Sequence, residues 1–494
     1  MERYIAIDNV CAWPNLTKMP DGAILATIYN QPCHGHWEGD VECWASEDGG
    51  RSWRLRGTAA PHEPGTNRMN IAAGLAANGD LVVLASGWSD RRPKSDGLAA
   101  WNSEAHCLPV WVCRSSDGGR TWSHTETLMP PEGVDHVVPF GDIVVLADSN
   151  LGVSVYTHGS AYFYHSSDDG RTWTHRSTIQ NKGLTETTVL ALPDGQVLAC
   201  ARTEGDEHLE LFRSLDCGKT WAHEQAVSFD RQIPAHLLDL GDGRILLSYG
   251  DRRQDHGGIE ARVSNDEGRS WGPPLRIVDL EVVDHEYGGV VFGDLGYPAT
   301  VPGDDGTLVT AWYSKGTAAH QRYHMGAAVW RLEESEQASF SPNLPVHQWM
   351  LSDLTEKPTG GITDAEYRSL GESLGWQTTQ AVDSDGFVNV HARHGDADGI
   401  VYLANRFTVP RDGDWGLSIG HDGGIRVFID GDCVLTTPET RNPAVQGRSR
   451  TEAALTAGEH DVVIAFDTAA GKGWGIYFEW LMPRADRRFP ATVQ

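Results

Sequence analysis

The sequence predicts an all-β chain: a six-bladed β-propeller followed by a C-terminal jelly-roll-like β-sandwich. Three observations lead there. A Ser-x-Asp-x-Gly-x-Ser/Thr-Trp turn occurs five times, six strand-turn-strand units are interleaved with it, and a second strand-rich stretch follows after the repeats stop.

The turn copies run Ser46–Trp53, Ser115–Trp122, Ser166–Trp173, Ser214–Trp221 and Ser264–Trp271. After the first interval they recur about every 50 residues, the length of a four-stranded blade. Ser and Asp side chains can bond the turn's own amides, Gly allows a positive φ, and Trp packs the turn down. These residues are read as structural. The interleaved turns fall at Gly22, Gly79, Gly141, Gly195, Gly243 and Gly306, each before a β-rich run such as ILATIY or DLVVLAS. Only the sixth unit lacks the Asp turn.

Near residue 335 the repeats end. Residues 1–335 are assigned to the propeller. Residues 336–372 form a linker or packing segment with a short helical stretch, and 373–494 the accessory sandwich. The runs VYLANRFTVP, WGLSIG, IRVFIDG, DVVIAFD and WGIYFEW supply its strands. It resembles the accessory sandwiches of carbohydrate-active enzymes, and both a sugar-binding and a structural role stay open.

Composition narrows the partners. The 494 residues carry a formal net charge of −28, which repels phosphate backbones and anionic membranes; neither nucleic acid nor membrane is expected as a partner. The abundance of Gly (55) points to many tight turns. Cysteines at 11, 33, 43, 107, 113, 200, 217 and 433 show no paired ligand spacing and no dense disulfide framework. No metal and no cofactor is called. The start lacks a basic n-region and a long apolar run, so the chain reads as cytoplasmic, or as secreted with its signal removed. Oligomeric state is not legible.

Strand alternation places the start of each first strand and each strand 2–3 loop at one mouth. Those loops carry His34, His36 and Asp40; Arg91 and Arg92; Arg202; Arg252, Arg253 and His256; and His320, Arg322 and His324. Registering the units on their turn glycines, nine residues back, gives Trp13, Asn70, Glu132, Glu186, Pro234 and Tyr297 as a ring around the axis.

Here the chain resembles the sialidase (neuraminidase) superfamily over roughly residues 5–335. Thr185-Glu186-Thr187-Thr188-Val189 through Ala201-Arg202 is similar to the segment carrying a glutamate and a substrate-binding arginine. Gly296-Tyr297-Pro298 through Ala311-Trp312-Tyr313 is similar to the segment of the nucleophilic tyrosine, and Asp40 matches the place of the acid/base aspartate. The resemblance implies that Tyr297 attacks, Glu186 takes its proton and Asp40 protonates the leaving oxygen. A phenol suits a substrate with a carboxylate on the anomeric carbon, which would repel a carboxylate nucleophile. Each residue also has an ordinary structural reading: a packed ring with a bonded hydroxyl, a glutamate paired with Arg202, a loop acid.

One departure stands out. Sialidases open the first blade with an Arg-Ile-Pro-like triplet; here it is Ala12-Trp13-Pro14. The third carboxylate-binding arginine matches only loosely, to Arg252 or Arg253, and Arg68 is a substitute. Trp13 suggests stacking on a sugar face.

The expected function is an exo-acting glycoside hydrolase removing a terminal, acidic sugar. A polysaccharide lyase or atypical glycosidase acting next to a uronic acid is the alternative, with His34 and His36 as candidate bases. A non-catalytic glycan-binding propeller is the third reading.

Overall fold

Runs of small and β-branched residues, punctuated by Gly- and Asp-rich turns, form short antiparallel strands almost throughout the chain. A computed structural model describes all residues except 36–37, 90–105, 158, 254–256, 273, 281–283, 288–289, 316–322, 333–347, 381–385, 410–411, 446 and 482–494. The described residues cluster into two units, Met1–Leu332 and Glu333–Arg487.

In the first unit, Cys11–Lys18, Ile24–Tyr29, Val41–Ser46 and Arg54–Ala60 make one four-stranded sheet. The next two meanders begin at Asn70–Leu75 and Val138–Val145. Their first strands pair in parallel, Gly141 with Ala72 and Asp142 with Ala73, so they merge into one eight-stranded sheet. Meanders opening at Leu184–Ala191 and at Gln232–Gly241 follow. The last sheet holds Leu295–Pro302, Leu308–Ser314 and His324–Trp330, and its fourth strand is Glu2–Asp8 from the start of the chain. The repeat without an Asp turn thus receives its missing strand from the start of the chain, Glu2 pairing with Val329 and Asp8 with His324, a pairing no local pattern announces.

The five Asp turns share one Ser–Asp bonding scheme, and three of them add a bond from the Trp indole to the Gly carbonyl. In the first, Ser46 Oγ donates to Asp48 Oδ1 at 2.8 Å and accepts from Gly50 N at 2.8 Å. Asp48 also accepts from Ser52 N at 2.9 Å and Ser52 Oγ at 2.6 Å, and the Trp53 indole donates to the Gly50 carbonyl at 3.1 Å. The Ser and Asp side chains thus satisfy the turn's amides in all five copies, while Trp221 donates to Ser177 Oγ instead and Trp271 Nε1 has no partner among the described residues.

One turn lies elsewhere than the sequence suggests. Gly141 sits inside the strand Val138–Val145, where its positive φ of 80° and bare Cα let Thr188 approach. The reversal is made by Ser149, in the left-handed region at φ 66°, whose N–H bonds the Leu146 carbonyl at 2.9 Å. The nine-residue register therefore selects Phe140, not Glu132, in this unit.

In the second unit, Gln348–Leu351, Gln377–Gln380, Ile400–Val409, Gly458–Asp467, Ile425–Ile429 and Asp432–Thr437 form a six-stranded sheet. It begins inside the 336–372 segment. A four-stranded sheet combines Val388–Asn389, Gly475–Leu481, Gly413–His421 and Ser449–Leu455. Leu403, Val427 and Ile464 of the first share one buried core with Trp415, Ile419 and Phe478 of the second. Helix among the described residues is confined to short pieces such as Gly361–Asp364 and His391–His394.

Candidate active site

The first strands of five sheets or meanders are kinked at or beside the positions the register selects, Asn70 being the regularly paired exception. Pairing slips between Cys11 and Asn15, between Phe140 and Val144, between Leu184 and Thr187, between Gln232 and Ala235, and between Gly296 and Ala299. A bulge re-aims a side chain out of strict alternation. These slips turn Trp13, Glu186 and Tyr297 toward one another. Tyr297 itself stands at φ 51°, a left-handed conformation that a bulky residue holds only where its surroundings fix it.

Those surroundings are polar on one side. The Tyr297 hydroxyl donates to Glu186 Oε1 at 2.7 Å. Arg202 Nη1 donates to both Glu186 oxygens at 3.1 Å and to the Tyr297 oxygen at 3.0 Å. The rest of the Arg202 guanidinium faces Asp206, with Nε donating at 2.8 Å and Nη2 in a shorter bond. Tyr297 and Glu186 are buried. Burial pushes the Glu186 carboxyl up, but the Arg202 charge and the Tyr297 hydrogen bond outweigh it and hold the group below the usual carboxylate range. Burial, and next the Glu186 charge, push the Tyr297 phenol well above its usual value. The ground state is thus a neutral phenol on an ionised carboxylate.

The other side of the Tyr297 ring is aromatic. Trp13 lies 5.0 Å away, Phe140 5.8 Å and Tyr313 5.6 Å. The Arg252 guanidinium stands 5.3 Å from the ring centroid, with Nε donating to the Leu295 carbonyl at 2.8 Å. Arg252 Nη2 and Trp13 Nε1 are buried with no hydrogen-bond partner among the described residues. His34 meets Trp13 edge-on at 5.7 Å, and its Nδ1 lies 3.1 Å from the buried Asp294 Oδ1. Asp294 also accepts from the Tyr313 hydroxyl at 2.6 Å and from that of Tyr323. A small, partly open recess is lined by Trp13, Phe140, His236 and Tyr297.

The structure thus brings together Trp13, His34, Glu186, Arg202, Arg252 and Tyr297. Asp40 is placed differently. Its Oδ1 accepts from the His62 backbone N–H at 2.7 Å and contacts His62 Nδ1 at 2.6 Å. Arg253 is turned away, its Nη2 on the buried Asp251 at 2.6 Å. Arg68 is buried against the Trp111 ring, 3.8 Å from its centroid, and donates to the Pro109 carbonyl at 2.7 Å. His324 is fully buried and bonds Ser314. His36, Arg91, Arg92, His256, His320 and Arg322 lie outside the described residues.

Sequence reasoning missed Asp206, Asp294, His62 and Tyr156. Asp206 had a signal: it sits four residues from Arg202 across a Gly205 turn. The Asp294 and His62 contacts arise only when neighbouring strands are laid side by side, Asp294 against Tyr313 and His62 against Asp40.

A hydrogen-bonded Tyr–Glu pair at the convergent ends of repeated sheets, braced by an arginine, is an arrangement suited to nucleophilic or acid–base chemistry. Residues 40–310 match the BNR repeat-like domain, and the chain belongs to that family, within the sialidase/BNR-repeat superfamily. A curated sialidase of Micromonospora viridifaciens is 26% identical over 239 residues, 41% of this chain and 35% of its own length. The chain thus matches about a third of that relative. Among solved structures, a Dyadobacter fermentans protein of unknown function superposes with a TM-score of 0.55 at 22% identity, over 67% of this chain and 98% of the other. The NanB sialidase of Streptococcus pneumoniae gives 0.52 at 14% identity, over 66% and 69%. The Hadza microbial sialidase Hz136 gives 0.51 at 18%, over 66% of each chain. The fold is that of sialidase propellers.

Proposed function

We propose that this chain is an exo-acting glycoside hydrolase that removes a terminal acidic sugar. In this reading the four-stranded units of Met1–Leu332 are the six blades of a closed propeller, and the second unit is a β-sandwich accessory domain. The observation that carries the reading is the 2.7 Å hydrogen bond from the Tyr297 hydroxyl to Glu186. As Tyr297 Oη attacks the anomeric carbon, its proton passes to Glu186 Oε1 along that bond. The glycosidic bond breaks, and its oxygen takes a proton from Asp40, which is held by His62 at the mouth. Water then displaces the phenol oxygen, giving up its proton to Asp40, while Glu186 returns its proton to the leaving phenol oxygen. Arg202 steadies Glu186 in its ionised form. Arg252, with an unpaired buried Nη2 beside the Tyr297 ring, is the anchor for a substrate carboxylate, and Trp13 offers a face for the sugar.

A second reading is supported by His34, which Asp294 orients beside Trp13. A histidine so held suits proton removal next to a uronic acid, which makes a lyase. The test is product analysis on acidic glycans. A saturated terminal sugar that disappears with Tyr297→Phe supports the hydrolase; an unsaturated product absorbing in the ultraviolet supports the lyase.

A further inference from the structure

A second phenol, Tyr156, lies on a strand that packs beside the one carrying Glu186. Tyr156 lies on the strand Leu151–Thr157, half-buried. Its alternate neighbours Val153 and Val155 turn to the opposite face, into apolar core. Ser154, on the same face as Tyr156, donates its hydroxyl to the Thr187 carbonyl, the residue after Glu186. Tyr156 is two residues further along, on the Glu186 side of the strand. The charges that act on its phenol are, in order, those of Glu186, Tyr297 and Arg202. Strand direction and face thus put Tyr156 on the side of its strand that meets Leu184–Ala191, the strand carrying Glu186.

The two hydroxyls differ in one respect. That of Tyr297 bonds both Glu186 and Arg202, whereas that of Tyr156 has no hydrogen-bond partner among the described residues. A polar group left without a partner in a half-buried, charged setting is costly unless something else satisfies it. Burial raises its pKa well above the ordinary phenol value, so the group is a neutral donor throughout the working range.

We propose that Tyr156 is a further substrate-binding residue, its hydroxyl donating to a hydroxyl of the sugar ring held over Tyr297. The inference rests on the glycosidase reading for its substrate class, but not on Tyr297 being the nucleophile. It makes Tyr156 a determinant of which sugar is accepted. A site built to hydrogen-bond a substrate hydroxyl rejects the analogue that lacks it.

The test compares the protein with Tyr156→Phe on 4-nitrophenyl glycosides of N-acetylneuraminic, glucuronic and galactose sugars. It then uses the monodeoxy series of whichever sugar is preferred. Calorimetric binding of the same glycosides to Tyr297→Phe, with and without Tyr156→Phe, gives a readout that needs no turnover. The expected result is a 10- to 100-fold lower kcat/KM, or affinity, for the parent sugar. At one hydroxyl position, wild type prefers the parent over its deoxy analogue at least 10-fold and Tyr156→Phe does not. The melting temperature stays the same, because no protein hydrogen bond is lost. Unchanged kcat/KM and affinity, or the same deoxy preferences in both proteins, overturn the proposal. Binding with the predicted discrimination but no hydrolysis keeps Tyr156 in its role and removes the hydrolase reading. No binding of any glycoside removes both.

Discussion

Tyr297 and Glu186 lie 111 residues apart in sequence and share a 2.7 Å hydrogen bond. Each starts a first strand, each sits at a slip in strand register, and Arg202 bonds both. The bond fixes which group is protonated: the carboxylate is held low and the phenol high. The predictions below follow from that division and from the packing around it.

The base must stay ionised well into the acid range. Glu186 is held below the usual carboxylate value, so it is competent as a base above its depressed pKa and loses that state only as pH falls through it. Any acid limb of kcat/KM that reports this group should fall below about pH 4.3, the unperturbed glutamate value. Arg202→Met removes the largest favourable charge and should move that limb upward, with kcat reduced about 100-fold. A pH–rate profile of both proteins checks this; an acid limb at the same pH in both contradicts it.

The Asp turns should mark where the fold loses stability in acid. Hydrogen bonds to Thr220 and Ser214 outweigh desolvation and hold Asp216 at about 2, and those to Ser52 and Ser46 likewise lower Asp48. Depressed carboxylates contribute stability that is fully present above about pH 4 and is lost as pH falls through their folded values. Thermal melts from pH 6 to pH 2 should decline most steeply below pH 4. Ser46→Ala, which removes a buried hydroxyl bonded to both Asp48 and Gly50 N, should cost about 1–3 kcal/mol in urea unfolding.

Asp294 should be required for the aromatic side of the site. It is buried and accepts from Tyr313 and Tyr323 while pairing with His34. Asp294→Ala leaves two phenols and an imidazole without their acceptor, at about 3 kcal/mol or more. Asp294→Asn keeps the shape and should retain most of the stability. Denaturant melts separate the two variants; equal losses would contradict a role as hydrogen-bond acceptor.

Much of this was legible in the sequence because it is local. The Asp turns close on their own residues, so Ser46–Trp53 and its four copies announce themselves. Counting back nine residues from a turn glycine reaches Trp13, Glu186 and Tyr297, because a turn fixes strand register. The same count failed at Glu132. Gly141 takes a positive φ inside a strand, to let Thr188 approach, and Ser149 makes the turn instead. Arg68 and Arg253 were drawn toward the mouth by residue type, yet Trp111 and Asp251 claim them. Asp294 and His62 were not found because their partners lie on neighbouring strands, Tyr313 beside Asp294 and Asp40 beside His62, and Tyr156 because Glu186 lies in another sheet; no spacing within one strand records a neighbour on the next.

The measurement that bears most directly on the account is product analysis of the protein and of Tyr297→Phe on a panel of acidic and neutral glycans, by mass and by ultraviolet absorbance. The account predicts that the wild-type chain releases a saturated terminal sugar and that Tyr297→Phe lowers the rate at least about 100-fold while folding normally. An unsaturated product, or full activity in Tyr297→Phe, contradicts it and moves the chemistry to His34.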